Sequence, residues 1–370
     1  MTTERFRPHA IRPARESVRV VIACRDFAAM QGISHVGLAV SAMNNAKFLR
    51  SVGYWADVWT VASAQDLEQR IDNEQAASHR DGKVPISHVV ISAPWIATPE
   101  LTQMVHRHTE IEWCVCSHSN VGFLQSEPRA ITLLREDGDL AISAINFRVA
   151  SNSKRLTTWW KQAYHQDMIE LPNLRDTEGS FRHHSNWTPG TLLKIGCFGA
   201  IRGLKNQLSA AGAAIEIANR LRCECEFWMN SGRSEPQQAD RSLNAIRALL
   251  ANLHNMSFHQ APWAAWPAFR NRIRSMHLLI QVSYTESFNM VTADGVLEGV
   301  PSVTSDAIDW VPSNWQVEVD DVNAIASTGV ALLHDPAAAA NGLNHLNDHN
   351  RYGLALWEDF LMKAPQVAHV

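Results

Sequence analysis

The chain has 370 residues, 46% hydrophobic and 19% charged, a composition that excludes a disordered chain and predicts a folded globular protein. That length exceeds one ordinary core and predicts two domains. A formal net charge of -4 argues against a surface built to grip phosphate backbones, and six cysteines are too few for a disulfide scaffold.

Residues 1–17 form a basic N-terminal arm. Arg5, Arg7, Arg12 and Arg15, with Arg19 just beyond, face only Glu4 and Glu16. Such an arm reads as a solvated tail, with nucleic acid or a membrane surface as the alternative partner. No apolar run reaches the roughly 18 residues that span a bilayer, and no signal peptide precedes the first strand-like run. A cytoplasmic protein without a transmembrane segment is expected.

Residues 18–166 then alternate strand-like and helix-like patterns. VRVVIACRDF reads as a buried strand, and the next segment repeats apolar residues at helical spacing through Val36, Ala39, Val40, Met43, Phe48 and Leu49. ADVWTVA, SHVVISA, EWCVCSHS and SAINFRVA supply further strands. In EWCVCSHS the residues Cys114, Cys116 and His118 share one face of a strand. A metal would need a fourth ligand, which is not evident, and small buried strand residues explain the pattern as well. No metal is expected.

From residue 167 to 190 the alternation fails. LPNLRDTEGSFRHHSNWTPG is polar, rich in turn formers and carries Pro172 and Pro189, so it reads as a linker. A second alternating unit occupies residues 191–340, with strands in LLKIGCFG, CECEFWMN, MSFHQA, HLLIQVS and PSVTS. Residues 341–370 are helical and amphipathic, and are expected to pack back on the first domain. Two α/β units, each a doubly wound Rossmann-like sheet, predict ligand binding in a cleft at the carboxyl ends of strands.

The stretch VSYTESFNMVTADGVLEGVPSVTSD carries the chemistry. A strand ends, Glu286 follows, and a helix starts whose first turn is expected at Ser287, Phe288 and Asn289. Backbone N–H groups there lack intrahelical partners, so an anion such as a phosphate belongs at that end. Asp294 lies two turns further on near the same face, placed to accept from ribose hydroxyls. Equally open at this point is a plainer reading: Glu286 caps the helix and Asp294 is solvated.

This pattern resembles the Glu-x7-Glu signature of family 4 of the retaining glycosyltransferases with the GT-B fold. Glu286, Phe288, Gly299 and Pro301 match it; Ser287 and Asn289 replace glycines, and Asp294 replaces the second Glu with a chain one methylene shorter. LLKIGCFGAIRGLKNQ resembles the family's strand and loop that offer an Arg and a Lys to the donor diphosphate. Lys205 matches the Lys, while Arg202 stands in for an Arg usually placed nearer Gly199. Gly32, in Gln31-Gly32, falls where the family has a Gly-Gly loop that approaches the diphosphate. His118 matches a His that contacts the donor sugar, and IELPN resembles the segment before the linker.

The resemblance implies a GT-B fold and transfer of a sugar, with retention, from a nucleoside diphosphate to a hydroxyl acceptor. A UDP- or GDP-linked donor is expected. The resemblance implies no cofactor and no metal. Glu286 and His118 would act at the sugar; Arg202, Lys205, Gly32 and residues 287–289 would hold the diphosphate; Asp294 would hold the ribose. The leaving phosphate would take the acceptor proton. The expected acceptor is a glycan or another bacterial or phage metabolite. Trp263, Trp266, Trp310 and Trp315 are candidates for stacking on sugar faces. Arg270, Arg272 and Arg274, with the N-terminal arm, motivate a different acceptor, a hydroxymethylated DNA base. A non-catalytic nucleotide- or glycan-binding module and a nucleotide-sugar epimerase on the same fold are competing readings of the same residues.

Overall fold

The computed structural model describes residues 13–26, 36–180, 187–231 and 239–362. The chain divides into two compact units. The first comprises Met1–His118, Glu127–Leu174 and Gly353–Val370, and the second Ser119–Ser126 and Arg175–Tyr352.

The first unit is a parallel sheet of β1 (Arg19–Arg25), β2 (Trp55–Val61), β3 (His88–Ser92), β4 (Glu112–Ser117), β5 (Phe147–Ser151) and β6 (Ile169–Glu170). They lie in the order β2-β1-β3-β4-β5-β6. β3 and β4 are buried at every position, as parallel strands covered by helices on both faces must be. The helix Ala64–Asp81 shows how local sequence sets such boundaries. Ser63 caps its start by accepting from the Asp66 N–H, and Gly82, at φ 64°, ends it in a left-handed turn.

The second unit repeats the plan with β7 (Leu193–Cys197), β8 (Cys225–Ser231), β9 (Met256–Pro262), β10 (Leu278–Gln281), β11 (Ser302–Ser305) and β12 (Gln316–Val317). Its order is β12-β11-β10-β7-β8-β9, again parallel. Ile195, Phe227, Leu278, Ile280, Val303 and the fully buried Trp315 fill the core between this sheet and its helices. An alanine-rich face of the helix Gln207–Leu221 (Ala210, Ala211, Ala213 and Ala214) is wholly buried. Strand order reverses between β7 and β10, which are neighbours in space but separated in sequence by two strands. In open α/β sheets that reversal leaves a crevice outside the carboxyl ends, where ligands bind.

Three sequence expectations are corrected here. The segment expected as a linker begins inside the fold: β6 pairs with β5, and Leu171, Asn173, Leu174 and Arg175 are all buried. Its turn residues describe backbone shape, which a buried segment adopts as readily as an exposed one. Trp310 and Trp315, expected in sugar-stacking loops, belong to the second core at 6% and 0% exposure. The helix after Glu286 runs Met290–Leu297, starting later than expected, because Asn289 is its cap rather than part of its first turn. Among the described residues no helix is long and apolar enough to cross a membrane.

Candidate functional site

At the reversal between β7 and β10, two loops meet. After β7 the chain passes Gly199, at φ 117°, and forms a single 3-10 turn, Gly203–Lys205, capped by Arg202. After β10 it runs through Ser283, Tyr284 and Glu286 to the cap Asn289. The loops are joined through backbone, the Tyr284 N–H donating to the Leu204 carbonyl at 2.9 Å. They are joined again through side chains. Lys205 Nζ lies 2.6 Å from Glu286 Oε1.

Glu286 Oε1 is a convergence point. Besides Lys205 it accepts from Ser283 Oγ at 2.6 Å and from Asn289 Nδ2 at 2.9 Å. Oε2 takes no hydrogen bond from any described residue. The Glu286 side chain is 7% exposed and that of Lys205 23%, so the pair works in a medium of reduced dielectric where charge counts for more than in water. Asn289, at φ 62°, does three jobs at once. Its Oδ1 caps the helix by accepting from the Thr292 N–H, while its Nδ2 donates to Glu286 and to Gln281 Oε1. Ser283, Gln281 and the side-chain role of Asn289 were missed in the sequence; the motif order located Glu286 but held no signal for what would grip it.

A second layer fixes the lysine loop. Asn206, next to Lys205 and left-handed at φ 50°, donates to the Val319 carbonyl at 2.7 Å and to Asp320 Oδ1 at 3.2 Å. Asp320 Oδ1 also accepts from Tyr284 Oη at 2.8 Å and Ser209 Oγ at 3.1 Å. The Tyr284 hydroxyl foremost holds the Asp320 carboxyl below its ordinary range. One exposed carboxylate thus ties together the residue after Lys205 and the residue two before Glu286.

The remaining expected residues fall as follows. Ser287 and Phe288 lie between Glu286 and the helix. The Phe288 ring is buried against Trp310, with centroids 5.4 Å apart, and its carbonyl accepts from Trp310 Nε1 at 2.6 Å. The Arg202 guanidinium lies over the Phe123 ring, 5.0 Å from the centroid. Asp294 is in the middle of its helix, 2% exposed, paired with Arg175 and accepting from Trp266 Nε1 at 3.1 Å and 3.3 Å. Burial pushes its carboxyl up, against the pull of the Arg175 guanidinium. His118 belongs to the first unit, just past β4, within 3.1 Å of Ser92 Oγ and 3.4 Å of Asn152 Nδ2. Burial lowers its pKa to about 4, so near neutral pH it is an uncharged imidazole. Gly32 lies outside the described residues, as do Arg5, Arg7 and Arg12 of the arm.

The arginines expected to face DNA also meet partners. Arg270 and Arg274 both pair with the Glu298 carboxylate, at 2.5 Å and 2.7 Å, and Arg272 donates to the Pro262 carbonyl. Arg270 and Arg274 thus share one buried carboxylate, with the Arg274 side chain still 44% exposed. Among the described residues no group of three or more His, Cys, Asp or Glu is placed to hold a metal ion.

The two loops meet at the switch point of a Rossmann-like sheet, and the chain has the GT-B fold. Comparison with solved structures rests on shape at low sequence identity. A glycosyltransferase from Rickettsia africae matches with a TM-score of 0.57 at 13% identity, covering 93% of this chain and 99% of that one. Sucrose-phosphate synthase from Thermosynechococcus elongatus matches at 0.58 and 16%, over 93% and 96%. A mutant of TarM from S. aureus, solved with fondaparinux, alpha-GlcNAc-glycerol and UDP, matches at 0.55 and 12% over 75% of this chain. The match spans only 55% of that protein's chain. No family model and no curated protein matches the sequence.

Proposed function

We propose that the chain is a glycosyltransferase that moves a sugar from a nucleoside diphosphate to a hydroxyl acceptor with retention at the anomeric carbon. The observation that carries this reading is the Lys205–Glu286 pair, set where β7 and β10 end side by side. Cleavage of the donor leaves a diphosphate whose negative charge grows through the transition state. Lys205 is a cation already placed beside that charge, and its ammonium stays on Glu286 Oε1 while it faces the growing negative charge. Arg202, on the same loop as Lys205, and the start of the helix Met290–Leu297 add positive potential. These groups do the neutralising that a metal does in other transferases.

Glu286 acts as an orienting group, not as a nucleophile. Its Oε1 is occupied by three donors, which leaves Oε2 to accept from sugar hydroxyls and hold the anomeric carbon in line with the acceptor. The leaving phosphate takes the acceptor proton. The UDP in the TarM complex supports a nucleotide donor by analogy of fold alone.

The test is turnover with a panel of UDP- and GDP-linked hexoses, following release of UDP or GDP and the appearance of new glycosides. Lys205→Ala and Glu286→Ala should each lower diphosphate release by about 10²–10³-fold. Release undiminished in both variants would overturn the site. Nucleotide binding without turnover, across the panel and a range of acceptors, would favour a non-catalytic binding module.

A further inference from the structure

The carboxylate of Asp294 is enclosed on every side that the described residues occupy. Arg175, 119 positions earlier in the chain, places its Nη2 on Asp294 Oδ1, and the two side chains are 1% and 3% exposed. Trp266 Nε1 donates to both carboxylate oxygens. The Trp266 ring in turn carries two guanidinium groups, with Arg175 Cζ 5.2 Å and Arg270 Cζ 5.3 Å from its centroid. Arg175 is not free to swing away. Its own N–H donates to Asn350 Oδ1 at 2.8 Å, and Asn350 Nδ2 donates back to its carbonyl at 2.7 Å, with Asn350 2% exposed.

A ribose hydroxyl must come within about 3 Å of a carboxylate oxygen to donate to it. At 3% exposure the Asp294 carboxylate offers almost no surface for that approach, and releasing it would strand the Arg175 charge in a buried site. Glu298, at the carboxyl end of the same helix, cannot substitute, because its side chain is fully buried beneath Arg270 and Arg274. The shorter side chain fits this duty, since Asp in place of Glu draws the carboxylate back toward its own helix and into reach of Arg175.

We propose that Asp294 is a structural pin, joined to Arg175 and Trp266, and that the donor site does not read the ribose 2′-hydroxyl through this carboxylate. The pin ties the segment that begins the second unit to the helix that follows Glu286, so Arg175 acts as a positioning residue for the donor loop. The consequence for specificity rests on the proposed donor site; the pin itself does not.

Two measurements on the full chain test it. Calorimetry compares UDP with 2′-deoxy-UDP, and GDP with 2′-deoxy-GDP, on the unaltered protein. Whichever pair binds should do so with affinities within about threefold of each other. A ribo preference above about tenfold that Asp294→Asn abolishes would overturn the proposal, since that is the range expected for a lost hydrogen bond to a charged group. Urea unfolding of Asp294→Asn, Arg175→Met and the double variant then tests the pin without any ligand. The double variant should be no less stable than the worse single one, because each single change leaves the other charge buried alone. Strictly additive losses would sink the pin. Absence of all nucleotide binding would refute the donor reading and leave the unfolding cycle to decide Asp294.

Discussion

Glu286 illustrates what one residue contributes when its neighbours are arranged for it. Its Oε1 gathers an ammonium, a hydroxyl and an amide, while Oε2 takes no hydrogen bond from the described residues. Ser283→Ala removes the least costly of the three and should lower kcat about tenfold with little change in thermal midpoint, measured by steady-state kinetics beside calorimetry. Asp137 carries a separate cost in the first unit. It is fully buried in the helix Pro128–Ser143, with Oδ1 accepting from Thr98 Oγ1 at 2.9 Å and Oδ2 without a partner among the described residues. Burial pushes its carboxyl up to about 7. The folded state therefore holds a proton that the unfolded chain releases near pH 4, so this contribution to stability is greatest below that and is lost as pH rises through about 7. Asp137→Asn should leave stability near pH 4 almost unchanged and raise it at pH 8 by up to about 4 kcal/mol. Parallel denaturation curves at the two pH values would refute this. The burial of Asp137 was not legible in the sequence, because it depends on which segments pack over the helix Pro128–Ser143.

Among the elements, the helix Met290–Leu297 is short, apolar and almost wholly buried, so its placement rests on its ends and on close packing. A Cβ at Gly295 would come within 2.6 Å of Leu279 Cδ1 and 3.0 Å of the Val300 carbonyl. Only glycine lets the helix lie this close to the sheet. At its start, Asn289 combines a left-handed backbone with a cap and two further hydrogen bonds. Asn289→Gly keeps the backbone conformation and Asn289→Ala does not, so the alanine variant should be the less stable by about 1 kcal/mol. Both variants should weaken donor binding, because both free the Glu286 side chain. Equal unfolding midpoints for the two would show that the backbone is relaxed at this site. The sequence motif located this helix and its glycine-proline exit correctly, but put its start at Ser287. N-cap propensity is shared by Ser and Asn, and only the hydrogen bond from the Thr292 N–H to Asn289 Oδ1 settles which residue caps.

At the scale of the molecule, the last helix, Ala338–Leu361, contributes to both units: residues through Tyr352 count with the second and those from Gly353 with the first. Trp357, 1% exposed, packs in the first core, and its Nε1 donates to the Pro172 carbonyl at 2.9 Å. Trp357→Ala should cost about 3–5 kcal/mol. Hydrogen exchange should show the loss in β1 and β3 and leave the protection of β10 and β11 nearly intact. Uniform loss across both sheets would instead mean that the two units unfold as one.

Apolar periodicity by itself determined the fold class, because a parallel sheet covered by helices needs strands that are apolar on both faces, and such runs are visible locally. The order of short motifs also determined which loops carry Lys205 and Glu286. What only the tertiary structure decided is how the charges are spent. Arg175 sits in a polar, turn-rich stretch that reads as a linker, and Arg270 and Arg274 read as an exposed basic patch. Their partners, the buried carboxylates of Asp294 and Glu298, come from the helix Met290–Leu297 and its end, and a charge pattern read along the chain cannot separate an unpaired cation from one paired with a buried acid. Burial and pairing are set by which segments meet in space, and that is fixed by packing, not by local sequence.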